Sequence, residues 1–445
     1  MLPSLGAVCL SLFSLFSAIR ARSSTGDSVL VLLQPNLSRD NFTIFFDNLE
    51  KQGYDLTFRA PKAETPRIIE DDVPGFNHII LFAPDSKNFA QDVTPQSLVT
   101  ALNAGTNLIV ALSPKQTPIF TLASEFSLIL PPPGTPLISH FPARDTPPGV
   151  IPVSVPPVHP FLTPNTPPIW FSGIPFAHGN NPLLVPILHA PAESFASDTD
   201  SDASADVVFD YAERGGEGLW AGSSLGIVTG FQTRDSARIT WVGGLELFSD
   251  EYANKPLPSG DKSGNAQFAR DVAAWTFHEK LVLRIDSTTH HLVNETEPRE
   301  HYTINENIAF EAHISRYDPE SGWAPYSGLH DLQVDFTMLD PHIRTALLPV
   351  SDEPGLYRAS FRLPDRHGVF KFVLDYRRRG WTSLQSSTTV PVVPPRHDGY
   401  PRFLSAAWPY YTGAISTSVG FLLFATLWLA GDDKGVKKGK SAKTE

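Results

Sequence analysis

Residues 406–430 (AAWPYYTGAISTSVGFLLFATLWLA) carry no ionisable group except tyrosine and run straight into the basic tail GDDKGVKKGKSAKTE. About 20 apolar residues cross roughly 30 Å of hydrocarbon as a helix, so this run predicts one membrane-spanning helix. Trp408, Tyr410 and Tyr411 stand at one end and Trp428 at the other, where amphipathic rings prefer the headgroup layers. Lys434, Lys437, Lys438, Lys440 and Lys443 crowd residues 431–445. The positive-inside tendency assigns that tail to the cytosol and everything before residue 406 to the other side.

The other end of the chain agrees. Residues 5–19 form an apolar stretch too short to span, with small residues (Ala18, Ala21, Ser23) where a peptidase could cut, the pattern of a signal peptide over residues 1–23. No lysine or arginine precedes it, and a buried core helix is the competing reading. A cleaved signal and a C-terminal span predict a type I membrane protein with a large lumenal or extracellular body.

The chain has 445 residues, 41% hydrophobic, with a mean hydropathy of -0.11, material for two to four ordinary domains. The net charge of -12 lies almost wholly in the body, which argues against nucleic acid or anionic lipid as its partner. The only cysteine, Cys9, falls inside the presumed signal, so disulfides, thiolate zinc sites and cysteine nucleophiles drop out of the mature chain. Three sequons, at Asn36, Asn41 and Asn294, are candidate glycosylation sites.

Residues 27–130 alternate strand and helix signals. Short apolar runs at 29–33, 56–58, 78–82 and 107–111 are separated by a helix whose Phe42, Phe45, Phe46 and Leu49 form one stripe and by a second helix at 97–103. The pattern predicts an α/β domain with a mostly parallel sheet. Its ligand crest, beyond the carboxyl ends of the strands, reads Gln34-Pro35-Asn36, Ala83-Pro84-Asp85 and Ser113-Pro114, without a glycine-rich phosphate loop. Asn36 and Asn41 fall on this crest, which favours a binding or scaffolding module over an enclosed active site.

In residues 131–175 one residue in three is proline, so a linker or extended surface segment is expected, free of helix or central strand. Residues 176–280 are expected to form a second α/β unit, with strands at 226–231 and 238–242 and a helix at 265–277. From 281 to 395 the chain turns all-β, with short strands at regular spacing. This predicts an immunoglobulin-like sandwich without its disulfide, standing as a stalk above the membrane.

Candidate chemistry is thin. Gly222-Ser223-Ser224-Leu225-Gly226 fits the nucleophile-elbow pattern, which requires a helix behind the serine; residues 227–231 favour a strand, so a hairpin is the better reading. Asp198, Asp200 and Asp202 imitate a calcium loop or a D-x-D pair, but the sixth and twelfth places hold Ala203 and Phe209 where an EF-hand needs Gly and Glu. A solvated acidic loop results. His290 and His291 are adjacent, so on a strand they point to opposite faces, and His278-Glu279 lacks the second histidine of a zinc helix. No catalytic, cofactor or metal residue is assigned. In the span, Gly413, Thr417 and Gly420 share one side, and Ser416 with Gly420 makes a small-x-x-x-small step. That arrangement allows close helix approach and favours a packed helix with membrane partners over a lone anchor.

Several segments carry a family resemblance: VLVLLQPNLSRDNFTIFFDNLEKQGYDLTFR, ITWVGGLELFSDEY, HHLVNETEPREHYTIN, DPHIRTALLPV, GVFKFVLDYRRRGWTSLQSSTTVPV and YPRFLSAAWPYYTGA. The chain resembles the 48 kDa subunit family of the eukaryotic oligosaccharyltransferase, the complex that moves a preassembled glycan from dolichyl diphosphate onto Asn in Asn-x-Ser/Thr. The resemblance implies a non-catalytic structural subunit of the endoplasmic reticulum membrane, needing no cofactor. Its implied partners are a separate polytopic catalytic subunit, a ribophorin II-like subunit and a small defender-against-death type subunit. It leaves open whether the body contacts lipid-linked oligosaccharide. Relatives can end in a dilysine retrieval signal, whereas here Lys443 is third from the end behind Ala442. The competing classes are a membrane-anchored carbohydrate hydrolase and a cell-surface adhesion protein.

Overall fold

The computed structural model describes residues 22–71, 73–196, 220–399 and 404–431. The expectations for the signal (but for residues 22 and 23), the acidic loop with Asp198, Asp200 and Asp202, and the lysine-rich tail lie outside the described residues.

The first part is built on one seven-stranded sheet. Its strands are β1 (Ser28–Leu33), β2 (Asp55–Arg59), β3 (His78–Phe82), β4 (Asn107–Ala111), β5 (Leu184–His189), β6 (Gly226–Gln232) and β7 (Arg238–Val242). Their order is β5-β6-β7-β4-β3-β1-β2. The pairs β1–β2, β1–β3, β3–β4 and β4–β7 are parallel; β6 is antiparallel to both β5 and β7. The helices between them are α1 (Thr43–Lys51), α2 (Pro95–Asn103), α3 (Pro118–Glu125) and α4 (Asn265–Thr276).

The strands read as continuous apolar runs because both faces are covered. Val29, Val31, Ile80, Phe82 and Ile109 share a core with Phe45, Phe46 and Leu49 of α1 and Phe268, Val272 and Trp275 of α4. The alternating residues Leu30, Leu32, Ile79, Leu81 and Leu108 pack with Leu98 and Leu102 of α2 and Ile119 and Leu122 of α3. Period-two alternation thus sorts one strand between two helical layers.

Two expectations change here. The segments 27–130 and 176–280, read as separate α/β units, contribute to the same sheet, because β7 pairs with β4 through Ile239↔Leu108 to Val242↔Ala111. An apolar strand left at the edge would expose unpaired backbone, and β7 covers β4. The proline-rich segment is also more than a connector. It runs extended, pairs Ile151–Val153 with Ile169–Phe171, and buries Ile151, Val153, Phe161, Leu162, Ile169 and Phe171 in the α1/α4 core.

Two five-stranded sheets follow. The first contains β8 (Leu283–Leu292), β10 (Asn307–Asp318), β11 (Gly322–Pro325), β14 (Leu348–Pro349) and β15 (Leu356–Arg362); the second contains β9 (Tyr302–Thr303), β12 (Gln333–Thr337), β13 (Pro341–Ala346), β16 (Gly368–Tyr376) and β17 (Leu384–Val393). They enclose one core of Phe310, Phe336, Phe370, Phe372, Tyr357 and their neighbours, with Phe336 and Phe370 stacked at 4.6 Å between ring centroids.

Last comes helix α5 (Trp408–Ala430), none of whose residues is buried. Ile415, Phe421, Leu422, Phe424, Leu427 and Trp428 face outward on all sides. A helix apolar all round is stable only in an apolar medium, and by length and composition this one is able to cross a membrane.

Candidate functional site

At the carboxyl ends of the parallel strands, side chains from three loops converge on Asp85. Its amide donates to Gln34 Oε1 at 3.1 Å, and its carboxylate accepts from Ser113 Oγ and, at 2.8 Å, from Lys115 Nζ. Partial burial alone would raise this carboxyl, but Lys115 and Ser113 prevail and hold it below the usual aspartate value. Gln34 Nε2 donates to Asn36 Oδ1, so the Asn36 side chain belongs to the same knot.

A second carboxylate, Asp250, accepts the backbone N–H groups of Thr43 and Ile44, each at 2.9 Å, and the Thr43 hydroxyl. Residue Phe42, at the N-cap of α1, supplies no side-chain bond; Asp250 meets the orphan donors from across the fold. Glu246 sits at the crest with an exposed but crowded carboxyl. Desolvation raises its affinity for a proton, and the charges of Asp85 and Glu251 add to the rise. Opposite shifts at Asp85 and Glu246 resemble an acid–base pair, yet both Asp85 oxygens are committed to Ser113 and Lys115. The crest chemistry ties loops together.

The amino ends of the central strands, opposite the crest, form a buried joint. His78, Asn107 and Arg238 are the first residues of β3, β4 and β7. Asn107 Nδ2 donates to His78 Nδ1 at 3.3 Å and Asn107 Oδ1 accepts the Arg238 amide at 2.9 Å. His78 Nε2 therefore carries the proton and donates to the Gly26 carbonyl at 3.2 Å, while the ring stacks on Phe277 at 4.3 Å. Burial pushes His78 down to about 3. Neighbouring His278 is also lowered, by burial first and then by the charges of Arg238 and His78.

The Arg238 side chain is fully buried. It donates to the carbonyls of Trp275 (2.6 Å), Lys280 (2.9 Å), Leu281 (3.0 Å) and Gly380 (3.2 Å), and lies over the Trp275 ring. Burial pushes it down to about 9, so it stays protonated at neutral pH. Gly380 belongs to the β-rich part and also accepts from Trp275 Nε1 at 2.9 Å. Gln232 Nε2 adds a bond to the Trp381 carbonyl at 2.6 Å. These bonds fasten the two parts of the body together.

The residues singled out from sequence are scattered over the fold. Asn36 and Asn41 lie exposed at the crest; Asn294 lies exposed in the turn after β8. His290 and His291 do face apart: His290 Nδ1 meets the Tyr302 hydroxyl at 2.8 Å and His291 Nε2 lies 3.3 Å from Glu311. The serines of the G-x-S-x-G match sit in a turn that leads directly into strand β6. Among the described residues no group of three or more His, Cys, Asp or Glu side chains is placed to hold a metal. In α5, Ser416 and Thr417 hydroxyls donate to the Gly413 carbonyl at 2.9 and 2.7 Å. A methyl group added at Gly413 or Gly420 would meet nothing within 4 Å. Sequence reasoning missed Arg238, whose one signal is a charge opening the apolar strand RITWV.

The architecture is that of a large mixed α/β and all-β body followed by a single helix of membrane-spanning length. Residues 20–279 match the family model described as OST48, N-terminal domain, and residues 290–432 match the OST48 middle domain. The chain is 31% identical over 437 residues to the dolichyl-diphosphooligosaccharide–protein glycosyltransferase 48 kDa subunit of Danio rerio, covering 94% of this chain and 95% of the relative. The Caenorhabditis elegans protein of that name is 30% identical, covering 97% of each chain. The one from Arabidopsis thaliana is 28% identical, covering 91% of this chain and 93% of the relative. This chain belongs to the OST48 family.

Proposed function

We propose that this protein is a structural subunit of the oligosaccharyltransferase complex in the endoplasmic reticulum membrane, without catalytic residues of its own. The observation that carries the reading is the end-to-end match: body and apolar helix align together with 48 kDa subunits over 91% or more of the chain. The crest supports a non-catalytic role, because Asp85 and Asp250 bind loops and a helix end rather than an open cleft. In this reading the body, with residues 281–395 as an immunoglobulin-like stalk, faces the lumen and the lysine-rich tail the cytosol. A catalytic subunit, a ribophorin II-like subunit and a small defender-against-death type subunit are its partners.

Close packing of α5 through Gly413, Ser416, Thr417 and Gly420 would hold it in the complex. A tagged chain is expected to co-purify with the other subunits from detergent extracts. Replacing Gly413 and Gly420 by leucine should lower that recovery by roughly tenfold, the equivalent of about 1.4 kcal/mol. Unchanged recovery would remove the helix from the interface. Hydrolysis of an oligosaccharide by the full chain purified free of partners would favour the carbohydrate hydrolase instead.

Among the three sequons, Asn294 suits a glycan best. Both Asn294 and Thr296 are exposed, whereas Thr43 of the Asn41 sequon is bonded to Asp250 and Asn36 to Gln34. On a denaturing gel the deglycosylation shift should survive in the Asn36→Gln/Asn41→Gln variant and vanish in Asn294→Gln. The reverse pattern would place the glycan on the crest.

A further inference from the structure

We propose that the turn between β12 and β13, with Leu339 at its tip, rests in the headgroup layer of the membrane as a second contact beside the helix. Leu339 is 93% exposed, more than any leucine of α5, and Val369 is 58% exposed. Scattered apolar side chains on a surface are ordinary; what sets these two apart is their place in the sheet.

Thr337 pairs with Lys371, Val369 with Pro391 and Gly368 with Val392. Side chains alternate along a strand, and Phe336, Phe370 and Phe372 fill the core, so Val369 and Lys371 face outward and are exposed. Past Thr337 the turn lies beside the start of β16: a methyl group added at Gly368 would stand 2.7 Å from Met338 Sδ. The turn, the start of β16 and the carboxyl end of β17 therefore share one end of the sheet. That is the end from which the chain leaves for the membrane. Only residues 394–407 separate Val393 from α5.

The charge at this end suits a lipid surface. The chain as a whole carries -12, which anionic headgroups repel. Here Arg366, Lys371 and Arg396 balance Asp340, Asp365 and Asp398, all of them exposed. The same carboxylates stop the tip short of the hydrocarbon, where a charge is costly. One leucine and one valine are too little apolar area to hold a free protein on a bilayer. With α5 already inserted the second contact is intramolecular, so a small area suffices. A subunit interface calls for a wider apolar centre. Asn294 follows β8, in the other sheet, so a glycan there leaves the turn free.

The inference rests on α5 spanning the membrane, as in the subunit reading. Cys9→Ser removes the only cysteine, so a fluorophore can be placed on one added thiol of the full chain in phosphatidylcholine vesicles. The positions are Leu339→Cys and, as a reference, Val158→Cys, where the valine is 91% exposed in the proline-rich segment. Nitroxide carried on the lipid headgroup is expected to quench the Leu339→Cys probe about threefold more strongly than the reference, as a side chain at the headgroup boundary requires. Adding Val369→Asp/Lys371→Glu, at exposed positions and with an unchanged melting temperature, should at least halve that quenching. Equal quenching at the two positions, or undiminished quenching in the charge variant, would overturn the proposal. A Leu339→Cys probe shielded from iodide in the purified complex yet insensitive to the nitroxide lipid would assign the turn to a neighbouring subunit and overturn it as well. If the probe stays in water while the tagged chain still co-purifies with the complex, the subunit reading stands and this inference alone falls.

Discussion

Arg238→Ala is expected to destabilise the body by about 3 kcal/mol, measured as a lower urea midpoint and a melting temperature reduced by several degrees. Two opposing effects decide the sign. Returning a buried guanidinium to water is favourable: a value pushed down to about 9 from 12.5 corresponds to roughly 5 kcal/mol of burial penalty. Against it stand four hydrogen bonds from a charged donor to the carbonyls of Trp275, Lys280, Leu281 and Gly380, each contributing about 1.5–3 kcal/mol. The bonds win. Because one of them reaches Gly380, the variant should also loosen the joint and speed proteolysis between the two parts. Arg238→Lys is expected to recover less than half of the loss, since one ammonium has three donors and a shorter reach. Wild-type stability in Arg238→Ala would show that burial of the unpaired charge dominates.

Acid should weaken the same joint before carboxylates titrate. The folded protein holds His78 neutral down to about 3, whereas the unfolded ring takes up a proton near 6.5. Between these values the unfolded state binds more protons, so stability is fully present above about pH 6.5 and is lost as pH falls toward 3. For His78 the full loss is on the order of 5 kcal/mol. His278, lowered by burial and by Arg238, acts in the same direction. Of the other groups around the ring, Tyr54 is raised and stays neutral throughout, and Arg238 stays charged. Glu279, raised by burial, opposes the trend as it protonates. Urea titrations from pH 7.5 to 4 should show a falling midpoint for the wild type and a shallower fall for His78→Phe, which keeps the stacking on Phe277. Parallel slopes for the two proteins would clear His78 of the effect.

The helix Pro118–Glu125 shows where sequence pattern gives out. Its eight residues, PIFTLASE, are too few for a convincing stripe, and only Pro118 at the first turn signals a start. Tertiary packing of Ile119 and Leu122 against the sheet makes it a helix. Strand order was equally hidden. Nothing local in RITWV says that it pairs with NLIVA more than a hundred residues earlier rather than founding a sheet of its own.

Short-range physics is written plainly in the chain. An unbroken apolar run of membrane length, the Phe42, Phe45, Phe46, Leu49 stripe and the β-branched strands depend on neighbours within a few residues, so periodicity reveals them. Tertiary structure alone decided that two α/β segments share one sheet, that Asp250 caps a helix some two hundred residues away, and that Arg238 sits between two parts of the body. Such pairings depend on which surfaces meet once the backbone closes, and burial then sets their electrostatics.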